Sequence, residues 1–242
     1  MMREVITRYG RHNIGFLWLF LEPMLFTLGI TTLWTVTKMT HGSRLPIVAF
    51  AVTGYSSILL WRNTSNRCVK SIEPNLNLLY HRNVTIGDVY FARILLEIIG
   101  ATISCFVLTI SFSITGWMAP PANIMLTFHA WVLLCWFSMG LGLTVGALSE
   151  KGELVDRLWH ILTYLMFPLS GAAFLMEWMP KNFQTLLLWV PMVNATEMLR
   201  HGYFGALISP HYDATYLATV DALLFLTGLA LTRDLRHHVQ PS

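Results

Sequence analysis

Six stretches of this chain are long and apolar enough to decide which solvent it folds in: residues 14–37, 45–61, 94–118, 122–148, 158–176 and 214–232. A helix rises ~1.5 Å per residue and the hydrocarbon of a bilayer is ~30 Å thick, so about 20 such residues cross it once. Composition agrees, since 55% of the 242 residues are hydrophobic and 12% are charged, a balance rarely met in soluble domains. The expected fold class is an all-α membrane protein with six transmembrane helices, built as a single domain over residues 1–242.

Six crossings return both termini to one side, and the Lys/Arg distribution of the loops says which side that is. Arg3, Arg8, Arg11, Arg62, Arg67, Lys70, Arg82, Arg93, Lys151, Arg157, Arg233 and Arg236 fall with the termini, whereas Lys38, Arg44, Lys181 and Arg200 fall opposite. Twelve of the 16 basic residues therefore put both termini and the segment 62–93 in the cytoplasm. The same tally removes an inference: basic residues that topology demands do not establish an anionic substrate. The net charge of +3 calls for no nucleic-acid partner either.

The start, MMREVITRYG, has no small-residue cleavage site behind a short apolar stretch and is not expected to be a removable signal peptide. At ~100° per residue, Met1, Met2, Val5, Ile6 and Tyr9 share one face while Arg3, Glu4, Thr7, Arg8 and Arg11 share the other. That pattern predicts an interfacial helix over residues 1–12, lying in the headgroup plane. The competing reading is an ordinary positively charged flank.

Several chemistries are missing. Cys68, Cys105 and Cys135 have no metal-ligand or disulfide spacing, and the nine histidines are scattered, so no metal site is expected. No GxxxxGK(S/T) phosphate-binding loop, GxSxG elbow or HExxH pair occurs, so the chain is not expected to be an enzyme or to bind a nucleotide in that manner. Ionisable groups inside the runs are Glu22, Glu97, His129, His160 and Asp221. Each is costly in hydrocarbon and must face protein or water, as a proton relay, a polar lining or a helix-to-helix hydrogen bond. Pro23 beside Glu22 predicts a bend in the first span. In the fourth, Ser138, Gly142 and Gly146 recur every four residues and open one face to close approach by another helix.

Two connecting regions stand out. Residues 177–213 contain an apolar part too short to cross and broken by Pro180 and Pro191, which predicts a re-entrant pair of short helices on the external side, or a folded loop resting on the interface. There Glu197 and Arg200, three residues apart, are placed to pair on one face, and Pro191, Asn194, Glu197 and Arg200 form a candidate external gate. The segment 62–93 mixes Asn63, Asn66, Asn75 and Asn77 with the cluster Tyr80, His81, Arg82. Glycine and serine are sparse and apolar residues frequent, as suits short helices beneath the membrane on which a cytoplasmic protein docks.

The runs TRYGRHNIGFLWLFLEP, TGYSSILLWRNTSN, LLYHRNV, FARILLEIIGAT, FPLSG and PMVNATEMLRHGYFG together resemble, in the same order and over nearly the whole chain, the inner-membrane permease subunit of the capsular polysaccharide exporters, an ABC-2 type transporter family. The resemblance implies a six-helix permease that forms a homodimer and binds two copies of a separate ATP-binding-cassette ATPase. ATP and Mg are then bound by that partner, and no cofactor by this chain. It further implies a polysaccharide substrate passed onward to a periplasmic co-polymerase or adaptor and an outer-membrane export protein. In such exporters the cytoplasmic turn between spans two and three holds the coupling helix. LLYHRNVTIGD occupies that place, so Leu79, Tyr80, His81, Arg82, Asn83 and Val84 are the expected ATPase contacts. The 1–12 helix resembles the family's interfacial helix, and 180–204 its external re-entrant pair. Two departures, Asn194 where many relatives have histidine and a TGYSSILLW run without methionines, bear on substrate detail.

For the polymer path the expected residues lie near the cytoplasmic mouth: Arg11, His12, Trp18, Trp61, Arg62, Asn66 and Arg67. An aromatic face stacks on a sugar ring and a guanidinium holds a carboxylate by a forked pair. The same residues also satisfy the rules for interface anchors and for charge topology. Two other classes stay open: a secondary transporter with Glu22 and Asp221 as proton carriers, disfavoured by the absence of an internal repeat, and a non-transporting scaffold of a polysaccharide synthesis complex.

Overall fold

A computed structural model of the chain describes residues 14–37, 45–76 and 84–239. Among these, all regular structure is helical: α1 (Ile14–Thr37), α2 (Ile47–Cys68), α3 (Ile86–Ile114), α4 (Ile124–Lys151), α5 (Glu153–Leu169), α6 (Lys181–Leu187), α7 (Pro191–Phe204) and α8 (Ala214–Val239), with short 3-10 turns between some of them. Among the described residues three helices are long and apolar enough to cross a membrane: Ile86–Ile114, Ile124–Lys151 and Ala214–Leu235. The interfacial helix expected at 1–12 and the residues Leu79 to Asn83 of the expected coupling turn lie outside the described residues.

Helix ends follow local chemistry. α3 starts well before the apolar run at 94–118 because Thr85 and Asp88 form a reciprocal cap: the Asp88 N–H donates to Thr85 Oγ1 at 3.3 Å, and the Thr85 N–H donates to the Asp88 carboxylate at 2.8 Å. Such caps are worth ~1 kcal/mol. α2 likewise runs on to Cys68 through polar residues. Between them these two helices absorb a little under half of the 62–93 segment that the sequence places beneath the membrane, residues 62–68 and 86–93. α4 opens on Asn123, whose side chain accepts the Leu126 N–H at 3.0 Å. α5 ends at Leu169, short of the expected 176, because Pro168 occupies its last turn and Gly171 follows at φ +78. α1 continues unbroken through Pro23.

α4 is the hub. It packs most extensively on α8, then on α2 and α7, and α2 in turn carries α3 and α1. The chain reversals gather residues 14, 68, 86, 151 and 239 at one end, here the basic end, and the 170–213 connection at the other, here the cap end. Ser138, Gly142 and Gly146 all face inward, and their partner is this same chain: a Cβ on Gly142 would meet Cys68 Sγ at 3.3 Å and Ile94 Cγ1 at 3.4 Å, so α4 seats against α2 and α3. Opposite, Gly140 and Gly228 bring α4 and α8 together, a Cβ on Gly228 reaching Leu143 Cβ at 2.6 Å. Thr144 donates to Leu224 O across that seam at 3.1 Å.

At Gly146 a Cβ would lie 2.6 Å from Tyr90 Cε1 and 2.9 Å from Cys68 Cβ, so a methyl there forces buried neighbours apart. Overpacking of this kind costs about 1–3 kcal/mol. Gly146→Ala is expected to lower the thermal midpoint of the detergent-purified protein, whereas Gly29→Ala, with nothing within 4 Å of its Cβ, leaves the midpoint unchanged or raises it. Equal midpoints for both variants would refute close approach at α4.

Candidate functional site

Polar residues concentrate at the two ends of the bundle. At the basic end α2 changes character over its last two turns, where Arg62, Asn63, Asn66 and Arg67 replace an otherwise apolar surface. Arg67 reaches both neighbouring helices, with Nη2 3.8 Å from Glu22 Oε1 on α1 and Nε 3.5 Å from Glu97 Oε1 on α3. Glu22 and Glu97, expected to need a partner inside the membrane, share this one. Arg93 of α3 donates to Arg67 O at 2.9 Å, fixing the end of α2 a second time.

The opposite edge of α2 meets α5. Trp159 donates its indole N–H to Asn66 Oδ1 at 2.9 Å, and the Arg62 guanidinium lies over the Tyr164 ring at 5.2 Å from its centroid. Apart from these clips α5 is weakly packed, Thr163 being its one buried residue. Of the expected path residues, the structure thus brings Arg62, Asn66 and Arg67 into one polar band where α1, α2, α3 and α5 meet. Trp18, on α1, is half exposed. Trp61 differs from expectation: it is 1% exposed, enclosed with Leu134 and Leu199, and offers no ring face here. The helical register explains it, because Trp61 precedes Arg62 by about 100° and so points into the core. Arg11 and His12 lie outside the described residues. Trp159 and Tyr164 were not singled out from the sequence, since each sits in an apolar run where an aromatic reads as a lipid contact.

The turn that leaves α2 is bolted to the end of α4. Lys70, at φ +48, donates its N–H to Ser149 Oγ at 3.1 Å, and the Ile72 N–H donates to Glu150 Oε1 at 3.0 Å. Val84, the described member of the expected coupling set, is half-buried just before the Thr85–Asp88 cap.

At the cap end α7 is sunk into the protein, with Met192 to Arg200 all buried. Arg200 is 0% exposed. Its Nη1 donates to Gly171 O at 2.5 Å and Phe174 O at 2.6 Å, Nη2 donates to Ala172 O, and the guanidinium covers the Phe50 ring at 3.8 Å. Gly54 makes the room: a Cβ there would meet Ala172 O at 2.5 Å and Arg200 Nη2 at 2.7 Å. Glu197 accepts the Met176 N–H at 2.9 Å. The expected Glu197–Arg200 pair is therefore an attraction at longer range, while each side chain gives its hydrogen bonds to the 170–176 turn. Asn194 is also a connector, with Nδ2 donating to Leu188 O at 2.6 Å and Oδ1 accepting the Asp213 N–H at 2.8 Å. Pro191 fills the first turn of α7, where its missing N–H costs nothing.

Lysine has no planar fork and cannot serve three carbonyls set around one plane. Arg200→Lys is expected to lower stability by about 3 kcal/mol, while Glu197→Gln, which keeps a carbonyl for the Met176 N–H, costs about 1 kcal/mol. Thermal unfolding in detergent checks the ranking, and the reverse order would show that the carbonyl knot does not hold the 170–176 turn.

Among the described residues no group of histidine, cysteine, aspartate and glutamate is placed to hold a metal ion. The chain is 44% identical over 241 residues to the capsule polysaccharide export inner-membrane protein CtrC of Neisseria meningitidis serogroup A, covering 100% of this chain and 91% of that one. It is 40% identical over 241 residues, with the same coverage, to the capsule polysaccharide export inner-membrane protein BexB of Haemophilus influenzae. With the polysialic acid transport protein KpsM of Escherichia coli it shares 29% identity over 239 residues, 96% of this chain and 90% of that one. A profile of the ABC-2 type transporter family matches residues 1–204, and the chain belongs to that family.

Proposed function

We propose that this chain is the membrane permease subunit of an ATP-driven exporter that moves capsular polysaccharide, of acidic type, from the cytoplasm across the inner membrane. The observation that carries the reading is full-length identity of 40–44% to proteins named for capsule polysaccharide export at the inner membrane. Energy comes from a separate ATPase that binds ATP and Mg, consistent with the lack of a phosphate-binding loop in this sequence. Two permease copies and two ATPase copies make the unit, and a periplasmic adaptor and an outer-membrane protein take the polymer onward.

The proposed topology has six spans with both termini cytoplasmic, which puts the basic end inside and the α6–α7 region outside as a re-entrant pair. The coupling turn around Leu79, Tyr80, His81, Arg82, Asn83 and Val84 then faces the ATPase. A ligand shifts an equilibrium only through contacts that differ between states, and a stiff turn is needed to pass such a difference on. The bonds from Lys70 and Ile72 to Ser149 and Glu150, with the cap at Thr85 and Asp88, supply stiffness on both flanks of that turn. Movement there pulls on α2, α3 and α4 together, and through Asn66 and Arg62 on α5. The band of Arg62, Asn66 and Arg67 with Trp18 is the polymer entrance in this reading. The proton-carrier alternative is weakened at Glu22, which lies half exposed 3.8 Å from Arg67, and keeps one candidate in Asp221, wholly buried with no hydrogen-bond partner among the described residues on either carboxylate oxygen.

Deleting the chain in its own cell is expected to trap acidic polysaccharide inside and to clear it from the surface, with the wild-type chain restoring export. Arg82→Glu is expected to insert normally in the membrane yet cut export at least tenfold. Unchanged surface polymer after deletion would reject the exporter reading, and full export by Arg82→Glu would reject the coupling role.

A further inference from the structure

Two hollows among the described residues have opposite chemistry. One, of about 140 Å³, lies between α3 and α4 against α7 and is walled by Cys105, Phe106, Phe128, Trp131 and Leu199, with little to hydrogen-bond a ligand. The other is an open cup of about 430 Å³ at the cap end, where the α6–α7 turn meets the loop before α8. It is lined by Trp189, Asn194, His211, Tyr212, Asp213 and Tyr216. Three aromatic rings and three hydrogen-bonding side chains around one hollow suit a ligand that is apolar on its faces and polar around its rim.

The cup is built and held. Trp189 is 74% exposed, yet Tyr216 fixes its position by donating its phenol O–H to Trp189 O at 2.7 Å and by setting its ring edge-on at 6.0 Å. His201 and the Tyr212 hydroxyl are 3.1 Å apart, which orients the second ring. Asp213 uses Oδ1 to accept the Thr215 and Tyr216 N–H groups at 2.9 and 3.0 Å, so the carboxylate is anchored as the cap of α8 while Oδ2 takes part in neither bond. The Asp213 N–H is tied to Asn194, so floor and rim move as one piece. The two tyrosine rings are held by their hydroxyl contacts and Trp189 by its backbone carbonyl and the edge of Tyr216, so the walls lose little freedom on binding, which favours affinity.

We infer that this cup binds one pyranose ring of a polysaccharide, the C–H face of the sugar stacked on Trp189 and its hydroxyls donating to Asp213 Oδ2. Among the described residues that line the cup there is no lysine or arginine, so these read ring and hydroxyls and not the acid groups of a polymer. A lipid tail belongs in the first cavity, since the second would leave its polar rim unmet. In the cell the cup holds the emerging polymer at the outer face; this rests on the reading of the chain as an exporter with its α6–α7 region outside.

The test uses the full-length protein in lipid nanodiscs with saturation-transfer NMR, the probes being maltohexaose and a sialic acid hexamer. Saturation is expected on the ring C–H protons of both sugars. Trp189→Ala, at an exposed position, is expected to weaken binding at least tenfold. Asp213→Asn keeps the helix cap through its side-chain oxygen and is expected to weaken maltohexaose about threefold. No transfer to either sugar, equal binding by Trp189→Ala, or quenching of Trp189 fluorescence by brominated acyl chains and not by sugar would overturn the inference, the last making Trp189 an interface anchor. Export in the deletion strain separates the two ideas. If deletion abolishes export and Trp189→Ala leaves both binding and export intact, the cup fails while the exporter reading stands.

Discussion

Close backbone approach to α4 is what the rest of the structure depends on. In hydrocarbon, one apolar side chain gains little by exchanging lipid for another, so helices hold together through packing at short range and through hydrogen bonds. Gly142 and Gly146 let α4 reach α2 and α3, Gly140 and Gly228 let it reach α8, and at Gly202 a Cβ would lie 2.6 Å from Thr127 N, so α7 closes on the start of the same helix. Once those contacts are made, the positions of the polar groups follow. The end of α2 comes beside α3, which puts Arg67 between Glu22 and Glu97, and α7 comes beneath the 170–176 turn, which puts Arg200 among its carbonyls.

The two arginines solve different problems. Arg200 is wholly enclosed, and a buried cation persists only when its donors are met. Backbone carbonyls take the donors of both terminal nitrogens and the Phe50 ring covers the guanidinium face, without a carboxylate in direct contact, while Nε has no hydrogen-bond partner among the described residues. The result is a rigid cap in which α2, α7 and the turn after α5 share one side chain. Arg67 is partly exposed and bridges two carboxylates on two helices at distances of 3.8 and 3.5 Å. The exposed pair with Glu22 contributes about 0–1 kcal/mol, while Glu97 is buried, so this bridge sets the register of α1, α2 and α3 and holds α1 weakly. One end of the bundle is locked, and the other is loosely latched.

Much of this was legible in the sequence. Each of the six apolar runs overlaps a helix, because length and hydropathy are properties of the segment alone, and three of those helices, at Ile86–Ile114, Ile124–Lys151 and Ala214–Leu235, are long and apolar enough to cross a membrane. The four-residue spacing of Ser138, Gly142 and Gly146 correctly marked the tight face of α4. Helix ends were less legible: the Thr85–Asp88 box lengthens α3 into polar sequence, and Pro168 with Gly171 stops α5 inside an apolar run, both being local backbone effects that hydropathy does not weigh. Partners were the least legible. Glu197 and Arg200 at three-residue spacing read as a pair, yet the nearest strong acceptors for Arg200 belong to residues 171–174, a fact of tertiary placement. Trp61 and Arg62 read alike as mouth residues, and helical register sent one into the core and the other to Tyr164. Asn194 stood out as a departure from relatives; its two hydrogen bonds, to Leu188 and Asp213, connect the cap to the wall of the aromatic cup.

α5 is where these constraints leave freedom. It is attached to α4 in sequence through Gly152, buries one residue, and meets α2 through one indole hydrogen bond and one cation–π contact toward the basic end and through Phe167, edge-on to Tyr55 at 5.8 Å, near the cap. Few buried contacts make for low local stability. Its far end, however, runs straight into the 170–176 turn that Arg200 and Glu197 immobilise. A helix pinned at one end and latched at the other swings as a lever about the pinned end. Release of the Asn66–Trp159 and Arg62–Tyr164 clips would move the basic end of α5 most, uncovering the band of α2 that carries Arg62, Asn66 and Arg67 while leaving the cap undisturbed. The rigid cap and the loosely latched basic end thus place the freedom of α5 beside the end of α2, the same end that the Lys70 and Ile72 N–H groups tie to Ser149 and Glu150.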